Sequence, residues 1–204
     1  MWFKSRNTME NNILSLLNKD ERRFLRVSSF EKNQTIYKEG ELCDSISIIS
    51  EGHIEIISYS FSGKEVVFNS LNKNQIFGNN LLFSSSPFYK GDVVSKTKSI
   101  IVSIKKNDLI TLLSSNPKFL EEYLKIQSDF GKSLNAQIKL FSIDSAKERF
   151  EYYLFMNNDE ISYKSVTDLA SKLNLKRETL SRLISKLEKE NAIKRSLHHI
   201  SKIS

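Results

Sequence analysis

Cysteine, long apolar runs and secretory features are scarce or missing in this 204-residue sequence. Its single cysteine, Cys43, permits no intramolecular disulfide and no four-thiolate metal cluster within one chain, which fits a reducing compartment. No run of about 18 apolar residues could span a bilayer. The N-terminal segment MWFKSRNTMENN also lacks the apolar core of a secretory signal. We therefore expect a cytoplasmic protein that has no membrane partner.

The spacings that mark common catalytic and metal sites are missing too. The three histidines are His53 and the adjacent pair His198 and His199, and none belongs to an H-x-x-x-H pattern. The sequence has no C-x-x-C, G-x-S-x-G or P-loop motif. Neighbouring strand residues point to opposite faces, so His198 and His199 are better explained as surface residues than as a metal site. These observations argue against an enzyme and against a bound metal.

Positive charge is concentrated near the C-terminus. The chain has a formal net charge of +7, with 39% hydrophobic and 27% charged residues, as expected of a globular protein with a substantial core. Residues 161–204 contain ten Lys and Arg against four Asp and Glu, a surplus of six. A short basic segment at the end of a nearly neutral chain is the charge pattern of a module that binds a polyanion.

Residues 35–106 show the pattern of an antiparallel β-roll. Short apolar runs such as SISIIS, HIEIISYS, EVVFNSL and SIIVSIK alternate with turns at Gly40, Gly52, Gly63 and Gly78. The preceding segment, NNILSLLNKDERRFLRVSS, has the apolar spacing of one or two short amphipathic helices. We expect these helices to pack against the roll.

A long helix is predicted from Pro117 to Phe141. Proline is tolerated in a first helical turn, no proline follows it, and Gly131 is the only weak position. The apolar residues of this helix could pack on the chain's own β-domain. However, a helix of about 25 residues is roughly 37 Å long, more than a small roll covers. We therefore favour a dimer seam of coiled-coil type. Its two seven-residue rows, three residues apart, are Leu120, Gln127, Leu134 and Phe141, and Tyr123, Phe130 and Gln137.

The C-terminal segment has the features of a helix-turn-helix. SAKE at Ser145–Glu148 and SVTD at Ser165–Asp168 are capping patterns that predict two helix starts. The second helix is short, and it is followed by Asn174, a residue that tolerates the left-handed conformation of tight turns. A long basic helix comes next. The alternation in AIKRSLHHISKIS then predicts the two short strands of a wing.

The basic helix in LNLKRETLSRLISKLEKENAIKR has two different faces. A predicted buried stripe has helical spacing and consists of Leu180, Leu183, Ile184 and Leu187. The other side carries Glu178, Ser181, Arg182 and Ser185. A Glu178–Arg182 pair one turn apart could simply stabilise a solvated face, by about 0.2–0.5 kcal/mol. The alternative is that this face reads DNA.

The order of these elements and several segments resemble the Crp/Fnr family of bacterial transcription regulators. The similarity extends over nearly the whole chain and includes EGELCDSISIISEGHIEI, SGKEVVF, NQIFGNNLLF and LASKLNLKRETLSRLISKLEKENAI. Its most specific part is RETLSR, which closely resembles the family's recognition-helix pattern R-E-T-x-x-R. The resemblance implies that Arg177, Glu178 and Arg182 face base edges in the major groove. It also implies RNA polymerase as a partner.

The chemistry of these side chains agrees with that role. Arginine can donate two hydrogen bonds to guanine, glutamate can accept one from cytosine, and each good contact discriminates by about 1–3 kcal/mol. A glutamate facing phosphates would weaken binding, so Glu178 is best explained by base readout. Contacts to the DNA backbone, or secondary contacts, are expected from Lys176, Ser181, Ser185, Lys186 and Arg195.

The residues that hold a cyclic nucleotide in some Crp/Fnr members are changed here. Those members have a glutamate after a Phe-Gly pair, and an arginine–serine pair further along. In this chain Phe77 and Gly78 are followed by Asn79, and Tyr89 and Lys90 stand where the arginine–serine pair is expected. Lysine lacks the bidentate geometry of arginine. We therefore predict an effector pocket at Gly78, Asn79, Tyr89 and Lys90 that does not bind cyclic AMP.

The role of the roll has three interpretations. It could bind another small molecule, it could be a ligand-free scaffold in a protein regulated by its abundance, or Cys43 could be a redox switch. Glu41 and Asp44 lie next to Cys43 in the sequence and would raise its pKa, which argues against a reactive thiolate. One cysteine also cannot hold an iron–sulfur cluster. The effector is unknown, and no cofactor is predicted.

Taken together, these features predict an α+β protein. A jelly-roll-like antiparallel β-roll forms a sensor domain at residues 1–116, a long dimerisation helix follows at 117–141, and a winged helix-turn-helix DNA-binding domain occupies 142–204. The predicted function is sequence-specific binding of double-stranded DNA, at an inverted-repeat operator, by a homodimer. The alternative is a β-roll small-molecule-binding module that acts through protein partners, with a non-specific basic C-terminal domain.

Overall fold

The computed structural model describes residues 13–60, 63 and 65–203, without the side chain of Phe68. Residues 1–12, where the sequence lacks a secretory signal and where the sensor domain is expected to begin, lie outside the described residues. The chain divides into two compact units, with the boundary between Ser128 and Asp129. None of the helices in the described ranges has the length and apolar character needed to cross a bilayer.

The N-terminal unit is a roll of two four-stranded antiparallel sheets, which confirms the predicted β-roll. Its strands are β1 (Leu25–Phe30), β2 (Thr35–Tyr37), β3 (Ser45–Glu51), β4 (His53–Tyr59), β5 (Glu65–Asn72), β6 (Ile76–Phe77), β7 (Asp92–Ser95) and β8 (Ser99–Lys105). One sheet has the order β1-β8-β3-β6 and the other has the order β2-β7-β4-β5.

Isoleucines from different strands build the core of the roll. Ile46 on β3, Ile54 on β4 and Ile104 on β8 are completely buried. Helix α1 (Lys106–Ser115) follows β8 and adds Leu109 to the same core. The sequence analysis does not predict α1. The β-branched side chains suit strands, because they pack well on a pleated surface that is covered on one side.

The segment ahead of the roll differs from the prediction. It forms two short 3-10 helices, Ile13–Leu16 and Glu21–Phe24, and its last residues belong to strand β1. Ile13 and Leu17 are buried in the core of the roll, as expected. The pairing of β1 with β8 over its whole length explains the difference. Its partner strand lies far away in the sequence, so local apolar spacing could not reveal it.

The long helix α2 spans Pro117–Phe141, the bounds that the sequence predicts. The side chain of Asn116 accepts a hydrogen bond from the Phe119 amide at 3.1 Å and so satisfies one backbone donor of the first turn. Phe119 and Tyr123 are buried in the core of the roll. Further along, Leu140 is buried in the core of the C-terminal unit. The helix therefore contributes to both cores.

The C-terminal unit is a helix-turn-helix with a three-stranded sheet. Its elements are α3 (Ala146–Met156), β9 (Glu160–Ser162), α4 (Val166–Lys172), α5 (Arg177–Lys189), β10 (Ile193–Ser196) and β11 (His199–Lys202). The hydroxyls of Ser145 and Ser165 accept hydrogen bonds from the third residues of α3 and α4, which confirms both predicted caps. The sheet order is β10-β11-β9, and β9 is a strand that the sequence analysis misses.

Candidate nucleic-acid interface

A tight turn connects α4 to α5. Asn174 has a φ of 48°, the left-handed conformation that the sequence predicts at this position. Leu173 is completely buried, and the amide of Leu175 donates to the carbonyl of Ala170 at 2.9 Å. These interactions hold the start of α5 in a defined position against α4.

The buried guanidinium of Arg149 on α3 supports this turn. The side chain is 9% exposed. Its Nη1 atom donates to the carbonyls of Leu173 and Asn174 at 3.1 and 3.0 Å, and its Nε atom donates to the carbonyl of Ile143 at 2.9 Å. Carbonyls at the end of a helix carry partial negative charge. In the described part of the chain no carboxylate forms an ion pair with Arg149, so main-chain carbonyls stabilise its charge.

Helix α5 separates a buried face from an exposed face, as the sequence predicts. Leu180, Ile184 and Leu187 are buried in the core of the C-terminal unit, and Leu183 of the predicted stripe is half-buried and packs against that core. The residues that we expect to contact DNA from this helix and its N-cap are all exposed: Lys176, Arg177, Glu178, Ser181, Arg182, Ser185 and Lys186. The structure therefore brings these side chains together on one accessible surface.

Part of this surface is an open groove of about 560 Å³. The groove is lined by Ser181, Arg182, Ser185, Lys186, Lys189 and Glu190. Among the described residues no ion pair joins Glu178 to Arg182, so a stabilising pair does not explain these two side chains. The Nζ atom of Lys186 lies 3.8 Å from Oε1 of Glu190. Both side chains are well exposed, and exposed ion pairs contribute little to stability. Arg177, Glu178 and Arg182 are thus available to a ligand.

Not every basic residue of this unit is available. Lys172 is 6% exposed, and its Nζ atom donates to Oδ2 of Asp168 at 2.6 Å. Burial raises the pKa of Asp168, but the hydrogen bond and charge of Lys172 outweigh this effect and hold the pKa below its ordinary value. At the start of α5, in contrast, the N-cap residue Lys176 makes no side-chain cap hydrogen bond. Amides at such a helix start can bind a phosphate.

Strands β10 and β11 form the predicted wing. Arg195 on β10 is exposed. The ring of His198 lies edge-on to Tyr163, with centroids 6.2 Å apart, whereas Nδ1 of His199 lies 3.4 Å from the hydroxyl of Ser162. The two histidines therefore have different neighbours. In the ranges that the structure describes, no three His, Cys, Asp or Glu side chains are grouped so that they could hold a metal ion.

The four predicted effector residues differ in exposure: Gly78, Asn79 and Tyr89 are buried, and Lys90 is exposed. Tyr89 is 3% exposed and stacks on Tyr37, with ring centroids 4.6 Å apart. Gly78 approaches it closely, since a Cβ atom there would lie 3.6 Å from the Tyr89 hydroxyl. Lys90 is exposed, however. Lys90 lies at a bend, and its place in one pocket with the other three stays a prediction.

Asn79 is bonded to the long helix. Its Nδ2 atom donates to Oε1 of Gln127 at 2.9 Å, and Nε2 of Gln127 donates to the Asn79 carbonyl at 3.2 Å. Asn79 is 7% exposed. The pair connects the roll to α2 inside the N-terminal unit. Gln127 was predicted for the dimer seam, and it makes these bonds within its own chain.

Cys43 lies beside these groups and is 3% exposed. Its Sγ atom donates to the carbonyl of Ser45 at 3.4 Å. Burial raises the pKa of the Cys43 thiol and is the largest effect; the charge of Asp44 adds to it, while Tyr89 and the Ser45 backbone oppose it. The predicted rise in the pKa of Cys43 is therefore confirmed, although burial contributes more to it than the acidic neighbours do. A buried thiol with a raised pKa is a poor nucleophile.

The exposed apolar face of α2 differs in part from the predicted seam. Its large exposed side chains are Leu124 (54%), Leu134 (42%), Ile138 (64%) and Phe141 (40%). Leu134 and Phe141 of one predicted row lie on this face, whereas Leu120 and Gln127 of the same row are half-buried. The second row lies four residues after it, at Leu124, Gly131 and Ile138. Placing Tyr123 in the seam was wrong, because it packs in the roll core. Phe130 and Gln137 are half-buried, and their place in the seam stays a prediction.

Two protein-family models match separate parts of the chain. The model described as Cyclic nucleotide-binding domain matches residues 27–116, and the model described as MarR family matches residues 159–201. The anaerobic regulatory protein of Bacillus subtilis (strain 168) is 24% identical over 174 residues, which cover 80% of this chain and 73% of that protein. A cyclic-nucleotide-binding-type roll, a long helix and a winged helix-turn-helix thus occur in one chain. With helix α2 between them, the two matches give the chain the domain order of Crp/Fnr-type transcription regulators.

Solved structures agree with this assignment at the level of the fold. FixK2 from Bradyrhizobium japonicum aligns with a TM-score of 0.60 at 15% identity, covering 88% of this chain and 93% of FixK2. A CooA variant from Carboxydothermus hydrogenoformans aligns with a TM-score of 0.66 at 14% identity, covering 88% of this chain and 84% of CooA. The chain is a Crp/Fnr-type transcription regulator with a DNA-binding helix-turn-helix. Its relatives and structural neighbours are transcription regulators and not enzymes.

Sequence reasoning missed Arg149 as the residue that supports the recognition helix of this Crp/Fnr protein. A signal was present, because Arg149 directly precedes Phe150 and the two are followed by the buried Tyr153 and Leu154 on α3. A charged residue in such a buried stretch indicates a specific partner for its charge. The partners themselves are carbonyl groups, which the sequence does not mark.

Arg149→Lys should destabilise the C-terminal unit, because lysine cannot donate to carbonyls of Ile143, Leu173 and Asn174 from one planar group. We expect a loss of about 2–4 kcal/mol in the free energy of unfolding, measured by urea denaturation. The matched control is Arg177→Lys at an exposed position, which should change stability by less than about 0.5 kcal/mol. Equal stability of the two variants would contradict a supporting role for Arg149.

Proposed function

We propose that this Crp/Fnr protein binds an inverted-repeat operator as a homodimer and reads each half-site with Arg177, Glu178 and Arg182. The observation that carries the proposal is the exposed face of α5. Oppositely charged side chains one helical turn apart often pair. Within the described residues Glu178 and Arg182 form no such pair, and Arg177 has no acidic partner either. Their hydrogen-bonding groups are free to contact bases.

The different side chains on this face suit different parts of the DNA. Arg177 and Arg182 can each bind the O6 and N7 atoms of a guanine, and Glu178 can accept a hydrogen bond from a cytosine amino group. The cationic side chains of Lys176, Lys186 and Arg195 are exposed and suited to binding phosphates. The hydroxyls of Ser181 and Ser185 are also exposed and can donate hydrogen bonds to phosphates or to bases. Phosphate contacts would position the helix, and base contacts would select the sequence.

The exposed apolar stripe of α2 supports a homodimer through this helix. Leu124, Leu134, Ile138 and Phe141 are each at least 40% exposed. From Gly131 to Phe141 the spacing alternates between three and four residues, and Leu124 lies seven residues before Gly131, as in a coiled-coil seam. Contiguous exposed apolar surface of this kind commonly marks an interaction site. A second copy of the same helix supplies a complementary stripe, because a two-fold interface pairs identical surfaces.

A two-fold dimer implies a particular operator. Two recognition helices related by two-fold symmetry would contact half-sites about one helical turn apart, roughly 10–10.5 bp from centre to centre. Each half-site should contain a G·C-bearing core, since two arginines favour guanine and Glu178 favours a cytosine. We include RNA polymerase as a partner of the operator-bound protein on the basis of the family alone.

For the roll, we propose that the effector domain does not bind cyclic AMP. Tyr89 occupies the interior and stacks on Tyr37, while Asn79 is already bonded to Gln127. A cyclic phosphate would require a fixed cation, and the nearest candidate from the sequence, Lys90, is exposed. Regulation by another small molecule and regulation by abundance both stay open. The buried thiol of Cys43 gives a redox switch the least support.

A second candidate function is a small-molecule-binding roll that acts through protein partners, with a basic domain that binds DNA without sequence preference. The two proposals differ in selectivity. Selection of duplexes from a random pool should enrich one inverted repeat if α5 reads bases, whereas a non-specific domain would enrich none. Repeating the binding at two salt concentrations separates phosphate attraction from base readout.

Arg182 and Lys186, two cations on the exposed face of α5, should affect DNA binding in different ways when each is substituted. Arg182→Ala should cost about 1–3 kcal/mol per half-site and relax the preference at one base pair. Lys186→Ala, its matched control, should weaken all duplexes alike and reduce the salt dependence. Fluorescence anisotropy with the selected operator and single-base variants measures both effects. An unchanged motif and a uniform loss of affinity for Arg182→Ala would make this arginine a phosphate contact.

The wild-type protein should sediment as a dimer at micromolar concentration, and Ile138→Glu should sediment as a monomer. The added carboxylate would be buried in the seam without a partner, which is costly. Lys132→Glu is the control. Lys132→Glu changes the net charge by more than Ile138→Glu does. Because Lys132 lies outside the apolar stripe, this control variant should stay dimeric. A monomeric wild-type protein would remove the proposed seam.

Calorimetry should detect no binding of cyclic AMP at physiological concentration. The side chains expected to meet the ribose and the phosphate are Asn79, which is already hydrogen-bonded, and Tyr89, which carries no charge. Titrating Tyr89→Phe in parallel tests whether the buried hydroxyl matters to any heat that appears. A micromolar dissociation constant for the wild-type protein would show that the interior of the roll accepts the nucleotide after all.

A further inference from the structure

The tip of the wing carries an apolar side chain that the fold does not use. Leu197 is 86% exposed, more than any other large apolar side chain in the described part of the chain. It forms, with His198, the two-residue turn between the paired residues Ser196 and His199. Such turns favour residues with positive φ, typically Asn-Gly. Neither Leu197 nor His198 has a positive φ, so leucine does not serve the turn.

The tip is nevertheless held firmly. The amide of Tyr163 donates to the carbonyl of His198 at 3.0 Å, and the two rings meet edge-on. Tyr163 is 6% exposed, and Ile200 on the neighbouring strand β11 is completely buried. Leu197 therefore projects from a hairpin that contacts with Tyr163 hold in place. A contact made by a preorganised residue loses less conformational entropy than one made by a flexible loop.

The surroundings of Leu197 indicate what it contacts. Residues 191–203 contain Lys194, Arg195 and Lys202 but no Asp or Glu. All three cations are exposed. An apolar tip among cations suits a nucleic-acid groove, where phosphates line the edges and sugars and base edges form the floor. A second copy of this hairpin would be repelled, because it carries the same charge.

The hairpin is also joined closely to α5. The amide of Ala192 donates to the carbonyl of Leu187 at 2.9 Å, and Ile193 is buried in the same core as Leu187. The four residues of β10 extend about 13 Å from this point. When α5 lies in the major groove, the wing beside it can reach the adjacent minor groove, about half a helical turn away.

We propose that Leu197 is an apolar wedge that enters the minor groove beside each half-site and bends the operator there. The inference rests on the proposed function, since it requires α5 in the major groove. Apolar wedges unstack a base step and kink DNA by about 20–90°. Pyrimidine–purine steps such as TA unstack most easily, so Leu197 should favour one of them in the flank of the half-site. This preference arises without a hydrogen bond to a base.

The test uses the full-length protein and its selected operator. Leu197→Ala and Leu197→Gln should weaken binding by about 5- to 10-fold, the effect of removing one partly buried leucine from the interface. Both should reduce the bend, measured by energy transfer between dyes at the two ends of the duplex. Leu197→Met should retain affinity and bend. The salt dependence should be the same for all four proteins, because no phosphate contact is changed.

A second arm changes the DNA. Replacing the flanking pyrimidine–purine step with a stiffer step should weaken the wild-type protein but not Leu197→Ala. The proposal is overturned if Leu197→Ala leaves the bend unchanged, or if it alters the oligomeric state, which would assign the side chain to a protein contact. If Arg182→Ala changes the selected motif while Leu197→Ala has no effect, only the wedge fails. If the wild-type protein binds no duplex, the wedge and the proposed function fail together.

Discussion

The Arg149 guanidinium is buried against main-chain carbonyls at the end of α4 and at Ile143, and the geometry of the DNA-binding surface depends on it. Those carbonyls cannot be satisfied inside α4, because the last carbonyls of a helix have no amide partner within it. The arginine supplies the missing donors and places a positive charge at the negative end of the helix. The same bonds hold the turn at Asn174, from which α5 begins. A single side chain on α3 thereby supports the position of a helix that it does not belong to.

With the turn held in this way, the side chains of α5 are divided between two tasks. Leu180, Ile184 and Leu187 bury the helix against its own unit, and the charged residues remain outside. The structural ion pair of the helix-turn-helix is made elsewhere, between Lys172 and Asp168 on α4. Arg177, Glu178 and Arg182 take part neither in that pair nor in the buried core. This separation is what allows a recognition surface to vary in sequence without loss of the fold.

The N-terminal unit uses its interior differently. Tyr37 and Tyr89 stack inside the roll, and Asn79 and Gln127 connect the roll to α2 by two hydrogen bonds. Buried amides are costly unless they are bonded. Here the Asn79 side chain donates to the Gln127 side chain, which in turn donates to the main-chain carbonyl of Asn79. In this chain the side chains of the protein itself connect the roll to the helix.

Much of this architecture follows from the sequence alone. The bounds of α2, the caps at Ser145 and Ser165, the left-handed turn at Asn174 and the two faces of α5 all depend on interactions within a few residues, and periodicity and side-chain chemistry reveal them. Features that depend on distant partners were decided only by the tertiary structure. Strand β1 exists because β8 pairs with it, Tyr123 faces inward because the roll covers that side of α2, and Arg149 is buried because three carbonyls converge on it. Local patterns record which face of an element is apolar, but the packing of the other elements determines which part of that face stays exposed.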